Sequence, residues 1–418
     1  MKQSQSKLPK FGDWLLRLLA RYDVNPNIRG DFDEEFCLIY ETRGFVRALF
    51  WYWTHLLRSL PVFIRGILYW RSIMIKNYLK IALRNFKRHK GYSFINIAGF
   101  TISMACCLLI LTYVCHELSY DMYHKDVERV CRIVVDIRTQ TTKNVFALVS
   151  PTVAPALKAD YPQVEYAARA MPARSRLVRQ KDTFFYEDHF MYADQELLNI
   201  FTIPFIRGAP QEALIRPNTL VVSQRMAHKY FGNVNPLGET LVIDQQEYEI
   251  TGVVTDSPEN THLKYDLIAS LETLKDWEGM SYWDSTSFYT YLKLRPSVDM
   301  QEFSQLVGRL ADKYVGEQLE KEYGASFHYF LQPLSNIHLH SHLRYEIEPP
   351  GNPGYITIFS FVGLFILIIA CLNFMNLSTA RATNRAKEVG LRKVVGAQKL
   401  QLIGQFLGES LLVAFLSC

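Results

Sequence analysis

Two stretches without a single charged side chain decide what this chain can fold into. Ile95–Cys115 (INIAGFTISMACCLLILTYVC) runs for 21 residues, and Ile356–Phe374 (ITIFSFVGLFILIIACLNF) runs for 19. At about 1.5 Å per residue, a helix of either length crosses the roughly 30 Å hydrocarbon core of a bilayer. The first run starts at residue 95, and neither ends in a small-residue cleavage site, so neither reads as a signal peptide. The other use of such a run is a buried core helix, which this length without charge disfavours.

Charge is distributed around these runs in blocks. Residues 1–93 hold 17 Lys/Arg against 7 Asp/Glu, residues 116–353 hold 23 against 32, and residues 377–418 hold 6 against 2. The overall +5 of the 418-residue chain is therefore a remainder, and it is no argument for nucleic acid. Lys76, Lys80, Arg84, Lys87, Arg88 and Lys90 precede the first run, and Arg381, Arg385, Lys387, Arg392, Lys393 and Lys399 follow the second. Because basic flanks stay on the cytosolic side, both outer segments are expected there and the acidic block 116–353 outside. Of seven cysteines only Cys131 falls in that block, so no disulfide framework holds it. Its stability must come from a hydrophobic core, which a segment of this length can supply.

The local patterns fill in the rest. Phe11–Ala20 has helical spacing, and Asp31–Glu35 suits a helix start. From Thr42 to Gly91 there are eleven basic residues and no acid. Trp51, Tyr52, Trp53 and Trp70 with Arg58 and Arg65 read as a helix pair at the lipid headgroups, or as a solvated helical hairpin; Pro61 speaks against a span. Asn77–His89, with Leu79, Ala82, Leu83 and Phe86 on one face, predicts a separate amphipathic elbow helix. In the acidic block, Val130–Asp136, Thr219–Ser223, Glu239–Asp244 and Glu247–Val254 predict strands, while Thr152–Ala159, Gln224–Tyr230 and Met300–Glu317 predict helices. Interleaved strands and helices indicate an α+β domain. Asp256–His262 and Glu346–Gly354 read as loops.

Chemistry is mostly missing. There is no G-x-x-x-x-G-K-[ST], G-x-S-x-G, H-E-x-x-H or C-x-x-C; Gly390–Gly396 (GLRKVVG) has its lysine in the wrong place for a phosphate loop. His338, His340 and His342 would share one face of a strand and could meet a cation, but no fourth ligand is identifiable. Asp188-His189 lacks any spacing that forces a catalytic geometry. The expectation is therefore no catalytic residue, no metal and no cofactor. The segment Arg381–Ala397 stands out instead: basic and apolar residues alternate at helical spacing between two apolar stretches, punctuated by Gly390 and Gly396. It reads either as a helix that docks on a cytosolic partner or as ordinary positive-inside anchoring.

This segment resembles the signature of the FtsX-like permease family, the membrane subunits of MacB/LolC-type ABC transporters. The likeness runs through Arg385–Ala397 and on to Phe406, Glu409, Ser410 and Leu412. Ala227–Gly238 (AHKYFGNVNPLG), Tyr248–His262 and Pro333–Ser341 resemble phrases of the MacB-type periplasmic core, which makes the histidine run a structural phrase. Leu79–Arg88 with Asn96–Gly99 resembles the family's approach to its first span, and Gly30–Phe36 with Trp51–Trp53 is similar to a permease prefix domain.

The fold expected is a multi-pass α-helical membrane protein with a large extracytoplasmic α+β domain and an N-terminal helical cytosolic domain. By residue, this is a prefix (1–75), an elbow helix (76–94), a first transmembrane helix (95–115), the periplasmic core (116–353), a second transmembrane helix (354–376), a coupling helix (377–401) and the start of a third span (402–418). The family's larger span count implies that the chain is the N-terminal part of a longer permease. The resemblance implies a bacterial inner-membrane location and a separate cytosolic ABC ATPase that contacts Arg385, Lys387, Glu388, Gly390, Arg392, Lys393, Gly396 and Ala397. Membrane lipid, a second permease copy or half, and a periplasmic adaptor are the other partners it implies, serving export, efflux or signalling. Two other classes stay open: a membrane sensor with an extracytoplasmic ligand-binding domain, and a membrane-anchored hydrolase.

Overall fold

The computed structural model describes Trp14 and residues 28–88, 90–173, 175–283, 285–315 and 324–380, with 389–391, 393–396, 403 and 408 beyond them. The chain divides into two units, Leu109–Gly363 and the combination of Met1–Leu108 with Leu364–Cys418.

In the second of these, α1 (Ile28–Arg43) and α2 (Phe45–Arg88) form an antiparallel hairpin. Asp31 in the first turn and Arg43 in the last complement the α1 dipole. Gly44, at φ +85°, ends the helix in a conformation that L side chains rarely adopt. Phe32 and Phe36 on one side face Ala48, Tyr52 and Leu56 on the other, the i, i+4 spacing that lines up one helix face. The Tyr52 ring sits 5.7 Å from Phe32 and 6.0 Å from Phe36. The stretch from Trp51 to Trp70, read from sequence as a helix pair, lies on the single helix α2, which pairs with α1 instead, and its aromatic residues serve the small core of that hairpin: Tyr52 is fully buried, with Trp51 and Trp53 packed beside it. The separate elbow helix is absent. Asn77–Arg88 is the tail of the 44-residue α2, which passes through Pro61, and the stretch from Trp70 to Asn77 contains no Gly or Pro to break it. The helix predicted over Phe11–Ala20 lies outside the described residues except for Trp14, which is helical.

The two uncharged runs are the long helices α3 (Lys90–Leu118) and α10 (Pro353–Ala380). Their apolar windows, Ile97–Leu118 and Pro353–Asn373, are 0% buried in the protein. A helix that is apolar all round belongs in a core or in lipid. Leu109, Leu111, Phe361, Phe365 and Ile369 have no core around them, so the buried-helix reading fails for both runs.

The remaining residues build an α+β domain on one 13-stranded sheet, with strands ordered β13-β1-β12-β3-β6-β11-β8-β10-β9-β4-β5, β2 added to β1 and β7 to β10. The strands are β1 Val130–Thr139, β2 Lys143–Phe146, β3 Val164–Ala173, β4 Arg176–Gln180, β5 Thr183–Glu187, β6 Phe190–Ala193, β7 Phe205–Gly208, β8 Thr219–Ser223, β9 Thr240–Ile243, β10 Gln246–Val254, β11 Leu267–Ser270, β12 Tyr289–Leu294 and β13 Ala325–Pro333. The strands predicted from sequence all recur here, as do α4 (Val153–Asp160) and, past the short α5 (Leu197–Ile200), α6 (Gln224–Phe231). The helix predicted over Met300–Glu317 is instead two, α7 (Met300–Val307) and α8 (Leu310–Tyr314), broken at Gly308. The break lets Phe303, Val307, Leu310 and Ala311 all reach one core.

Alternation along the strands distributes side chains between two faces. In β1, Cys131, Ile133 and Val135 join α4, α7 and α8 in one core, while Val130 turns to the opposite face. In β12, Leu292 and Leu294 go the first way and Tyr289 and Tyr291 the second. At the other end of the sheet Leu220, Val222, Tyr248, Ile250, Leu267 and Ala269 pack with Met226 and Tyr230 of α6. The cores need no staple: Cys131 is buried as a free thiol, its pKa raised by burial.

Candidate functional site: the joint between the apolar helices and the sheet domain

Where α3 ends and α10 begins, the chain is tied to the sheet domain by buried polar groups, all within Leu109–Gly363. Three clusters form this joint.

The first holds the exit of α3. Asp121 adopts φ +59°, and its buried carboxylate accepts from Thr261 Oγ1 at 2.8 Å and from the His262 backbone N–H at 3.1 Å. His262 bridges Asp121, 2.9 Å from Nδ1, and the Tyr291 hydroxyl, 2.8 Å from Nε2. Burial raises the Tyr291 pKa, so the phenol keeps its proton beside the His262 ring. Burial also opposes ionisation of Asp121, but the His262 partner, Thr261 and the backbone amide outweigh it and hold the carboxyl below its ordinary value. Asn260 donates through Nδ2 to Ser119 O at 3.1 Å and Oγ at 3.0 Å, and its own carbonyl accepts from Asp121 N at 2.9 Å. His124 accepts from Thr202 N at 3.1 Å; burial pushes its pKa down to about 4 against the pull of Asp121, so the ring is neutral at pH 7.

The second cluster joins the two helix ends. Glu117, on the last turn of α3, lies 2.9 Å from His338 Nε2, and the His338 ring stacks on Tyr120 with centroids 3.5 Å apart and planes within 4°. Gly351 closes over the pair, its N–H donating to His338 O at 2.8 Å. A Cβ at Gly351 would stand 2.6 Å from Glu117 Oε2 and 2.7 Å from His338 Nε2, so any side chain there would have to displace the pair. Two residues later α10 begins.

The third cluster anchors the approach to α10. Arg132 on β1 is fully buried and grips Glu346 with both Nη atoms, at 2.8 and 2.7 Å, while Nη2 also reaches Gln332 Oε1 at 2.7 Å. Such a two-toothed arginine–carboxylate contact fixes direction as well as distance. Ser341 adds its hydroxyl to Glu346, and Tyr289 donates to Tyr345 O.

The Asp121–His262–Tyr291 relay has an oriented imidazole, but Tyr291 is 0% and His262 2% exposed, so no substrate reaches them. The histidine run is likewise not a metal face: Ile337–His340 is a helical turn, α9, and not the strand the sequence suggested. That turn points His338 at Glu117 and leaves His340 and His342 exposed, and no cluster of metal-ligating residues occurs among the described residues.

A family model for the MacB-like periplasmic core domain matches residues 93–310, more than half of the chain, and one for the FtsX-like permease C-terminal region matches residues 360–418. The chain belongs to the FtsX-like permease family with a MacB-like core. It is similar to the macrolide export ATP-binding/permease protein MacB of Bdellovibrio bacteriovorus, at 23% identity over 200 residues, 46% of this chain and 28% of that protein. It is similar also to the ABC transporter permease YknZ of Bacillus subtilis, at 24% identity over 207 residues, 47% of this chain and 45% of YknZ. These matches thus span from about a quarter to under half of the relatives' length. Among solved structures it resembles a permease-protein domain from Porphyromonas gingivalis at 23% identity and a TM-score of 0.46, covering 55% of this chain and 96% of that one.

In this FtsX-like permease, the residues singled out by sequence follow α10 along the chain. Gly390, Lys393 and Gly396 are described; Arg385, Lys387, Glu388, Arg392 and Ala397 lie outside the described residues. Val389–Leu391 and Lys393–Val394 are helical, and Gly396, at φ +95°, closes a turn with its N–H on Lys393 O at 3.1 Å. Leu391, Val394 and Val395 beside Lys393 are 70%, 88% and 82% exposed. The joint itself escaped sequence reading. Its one visible signal was the Tyr248–His262 phrase, whose last three residues, Asn260, Thr261 and His262, receive the exit of α3.

Proposed function

We propose that this chain is the membrane-embedded permease part of an ABC transporter of the MacB type, moved by ATP hydrolysis in a separate cytosolic ATPase. The observation that carries the reading is the clasp of Glu117, His338 and Gly351, which holds together the ends of two lipid-suited helices at the point where the sheet domain attaches. Helices joined so firmly to one domain are suited to transmit displacement to it as a rigid body. In this reading α3 and α10 cross the inner membrane, the basic N-terminal segment and the 377–401 coupling helix are cytosolic, and the MacB-like core is periplasmic, as the positive flanks favour. The ATPase docks on Arg385, Lys387, Glu388, Arg392 and Lys393, with Gly390, Gly396 and Ala397 allowing close approach. The exposed Leu391, Val394 and Val395 supply the apolar centre that such an interface needs. A second permease copy or half and a periplasmic adaptor complete the assembly.

The test is a detergent pull-down with the ATPase encoded beside this gene. The parent chain should retain the ATPase, and a variant with Arg385–Ala397 scrambled should lose it. Charge reversal at Arg392 and Lys393 that left the association intact would sink the assignment of the contact.

A further inference from the structure

The loop that leads from the joint to α10 presents an uneven surface. Its acids are paired: Glu346, its side chain buried, is held by Arg132, and Glu348, about a quarter exposed, by Lys264 at 3.4 Å. Its basic residues turn outward. His340, His342 and Arg344 are exposed, and no ion pair engages them among the described residues. Tyr345 is 64% exposed and held at φ +61°, its carbonyl taken by Tyr289 and its ring lying 6.0 Å from that of Phe146, nearly parallel. Arg344 is fixed as well, its N–H donating to Val145 O at 2.9 Å and its carbonyl accepting from Ala147 N at 3.1 Å. The backbone is thus pinned in a conformation rarely adopted by a residue with a side chain, and the result is to present an arginine and a tyrosine side by side.

The height of this surface follows from the clasp. His338 touches both Glu117 at the end of α3 and Gly351 at the start of α10, so it marks the level where the apolar helices end. At 3.8 Å per Cα step, chain length keeps His340 within about 8 Å of His338, His342 within about 15 Å and Arg344 within about 23 Å. The headgroup layer of a bilayer, roughly 5–8 Å deep on each side of the hydrocarbon core, lies within that reach.

We propose that His340, His342, Arg344 and Tyr345 form a foot that rests on the anionic headgroups of the outer leaflet beside the two spans. Arg344 supplies a fixed positive charge and forked donors for a phosphate, the imidazoles add N–H donors, and Tyr345 sits at the depth where aromatic rings with a polar tip are favoured. The pairing is one of charge complementarity: the acids of the loop are engaged by Arg132 and Lys264, and the exposed side chains left over are basic and aromatic. The proposal rests on the membrane reading of α3 and α10. It adds that the sheet domain leans on the lipid surface and is not held off it by the helices alone.

The experiment uses the full chain reconstituted in vesicles of phosphatidylcholine with phosphatidylglycerol. In one preparation the phosphatidylglycerol carries a photoreactive group on its headgroup, in a second the same group is on phosphatidylcholine, and in a third it is in the acyl chain; adducts are mapped by peptide mass spectrometry. Headgroup-labelled phosphatidylglycerol should mark the peptide covering residues 340–346 more than its phosphatidylcholine counterpart. The yield there should fall roughly five-fold in Arg344→Gln, the worth of one basic side chain at an anionic surface. His342→Gln should lower it further, while acyl-chain adducts on 97–118 and 353–373 stay unchanged in both variants. Equal marking by the two lipids, or marking indifferent to Arg344→Gln, overturns the foot while leaving the spans standing. Absence of acyl-chain adducts on the two apolar helices overturns the membrane reading, and the foot with it.

Discussion

Acidification should weaken the MacB-like core through one side chain. His124 is 5% exposed, and among the described residues its Nε2 has no hydrogen-bond partner. Burial is the largest influence on it; the nearby Asp121 charge works in the opposite direction, and the His262 partner adds to burial, leaving a folded pKa of about 4 against the ordinary 6.5. The folded value is the lower one. Above pH 6.5 neither state carries the proton and the contribution is whole. Between 6.5 and about 4 the unfolded chain takes up a proton that the fold excludes, so stability falls as the pH falls. Each unit in that window costs about 1.4 kcal/mol, so about 3 kcal/mol is lost by pH 4.5. For a domain of this size that lowers the melting temperature by roughly 5–12 °C. His124→Asn keeps an acceptor for the Thr202 N–H but has nothing to protonate. Melting of the full chain in detergent, followed by scanning calorimetry from pH 7.5 to 4.5, should therefore show the parent falling faster than the variant by that amount. Other groups titrate in both proteins and cancel in the difference. Parallel curves for parent and His124→Asn would refute the argument.

The joint yields further expectations. Gly351→Ala places a methyl against Glu117 Oε2 and His338 Nε2, and should destabilise the protein by about 1–3 kcal/mol through overpacking, read as a lowered melting temperature. If the clasp carries displacement, the same variant should also lower substrate-stimulated ATPase activity in the assembled transporter without weakening ATPase binding. Arg132→Met leaves Glu346 buried without its partner and should cost about 3–5 kcal/mol; adding Glu346→Gln should restore a good part of this, and a double variant no more stable than the single one would contradict the account. Ser223→Ala removes the hydroxyl that accepts from Met226 N at the start of α6 and should cost about 1 kcal/mol in a urea titration.

Much of the fold was legible because it rests on local periodicity. Thr219–Ser223 reads as a strand from five residues and is β8 over those same five. Gln224–Tyr230 reads as a helix and recurs as α6, which Ser223 caps. The misses have local causes too. The amphipathic Asn77–His89 read as a separate helix but is the tail of α2, and the pattern of Met300–Glu317 ran on through a glycine at which the helix breaks. The three histidines of 338–342 were read with a two-residue strand period, whereas the turn at Ile337–His340 sends them in different directions. The pairings that make the joint were not legible. Asp121 and His262 are 141 residues apart, Arg132 and Glu346 are 214 apart, and Glu117 and His338 are 221 apart.

What the sequence by itself determined is therefore everything set by neighbours along the chain: two lipid-suited helices, the charge blocks beside them, the strands and helices between, and the absence of known phosphate-loop, zinc and nucleophile signatures. Period and charge act over a few residues, and a single chain displays them directly. Only the tertiary structure decided which charges leave solvent and which partners they meet. Burial of Arg132, Asp121 and His124 depends on sheet order, with β1 placed between β12 and β13 and the 256–262 loop brought to the end of α3. A polar side chain can stay buried only when another is placed to satisfy it, and that pairing is made by the fold, across distances at which the sequence carries no pattern.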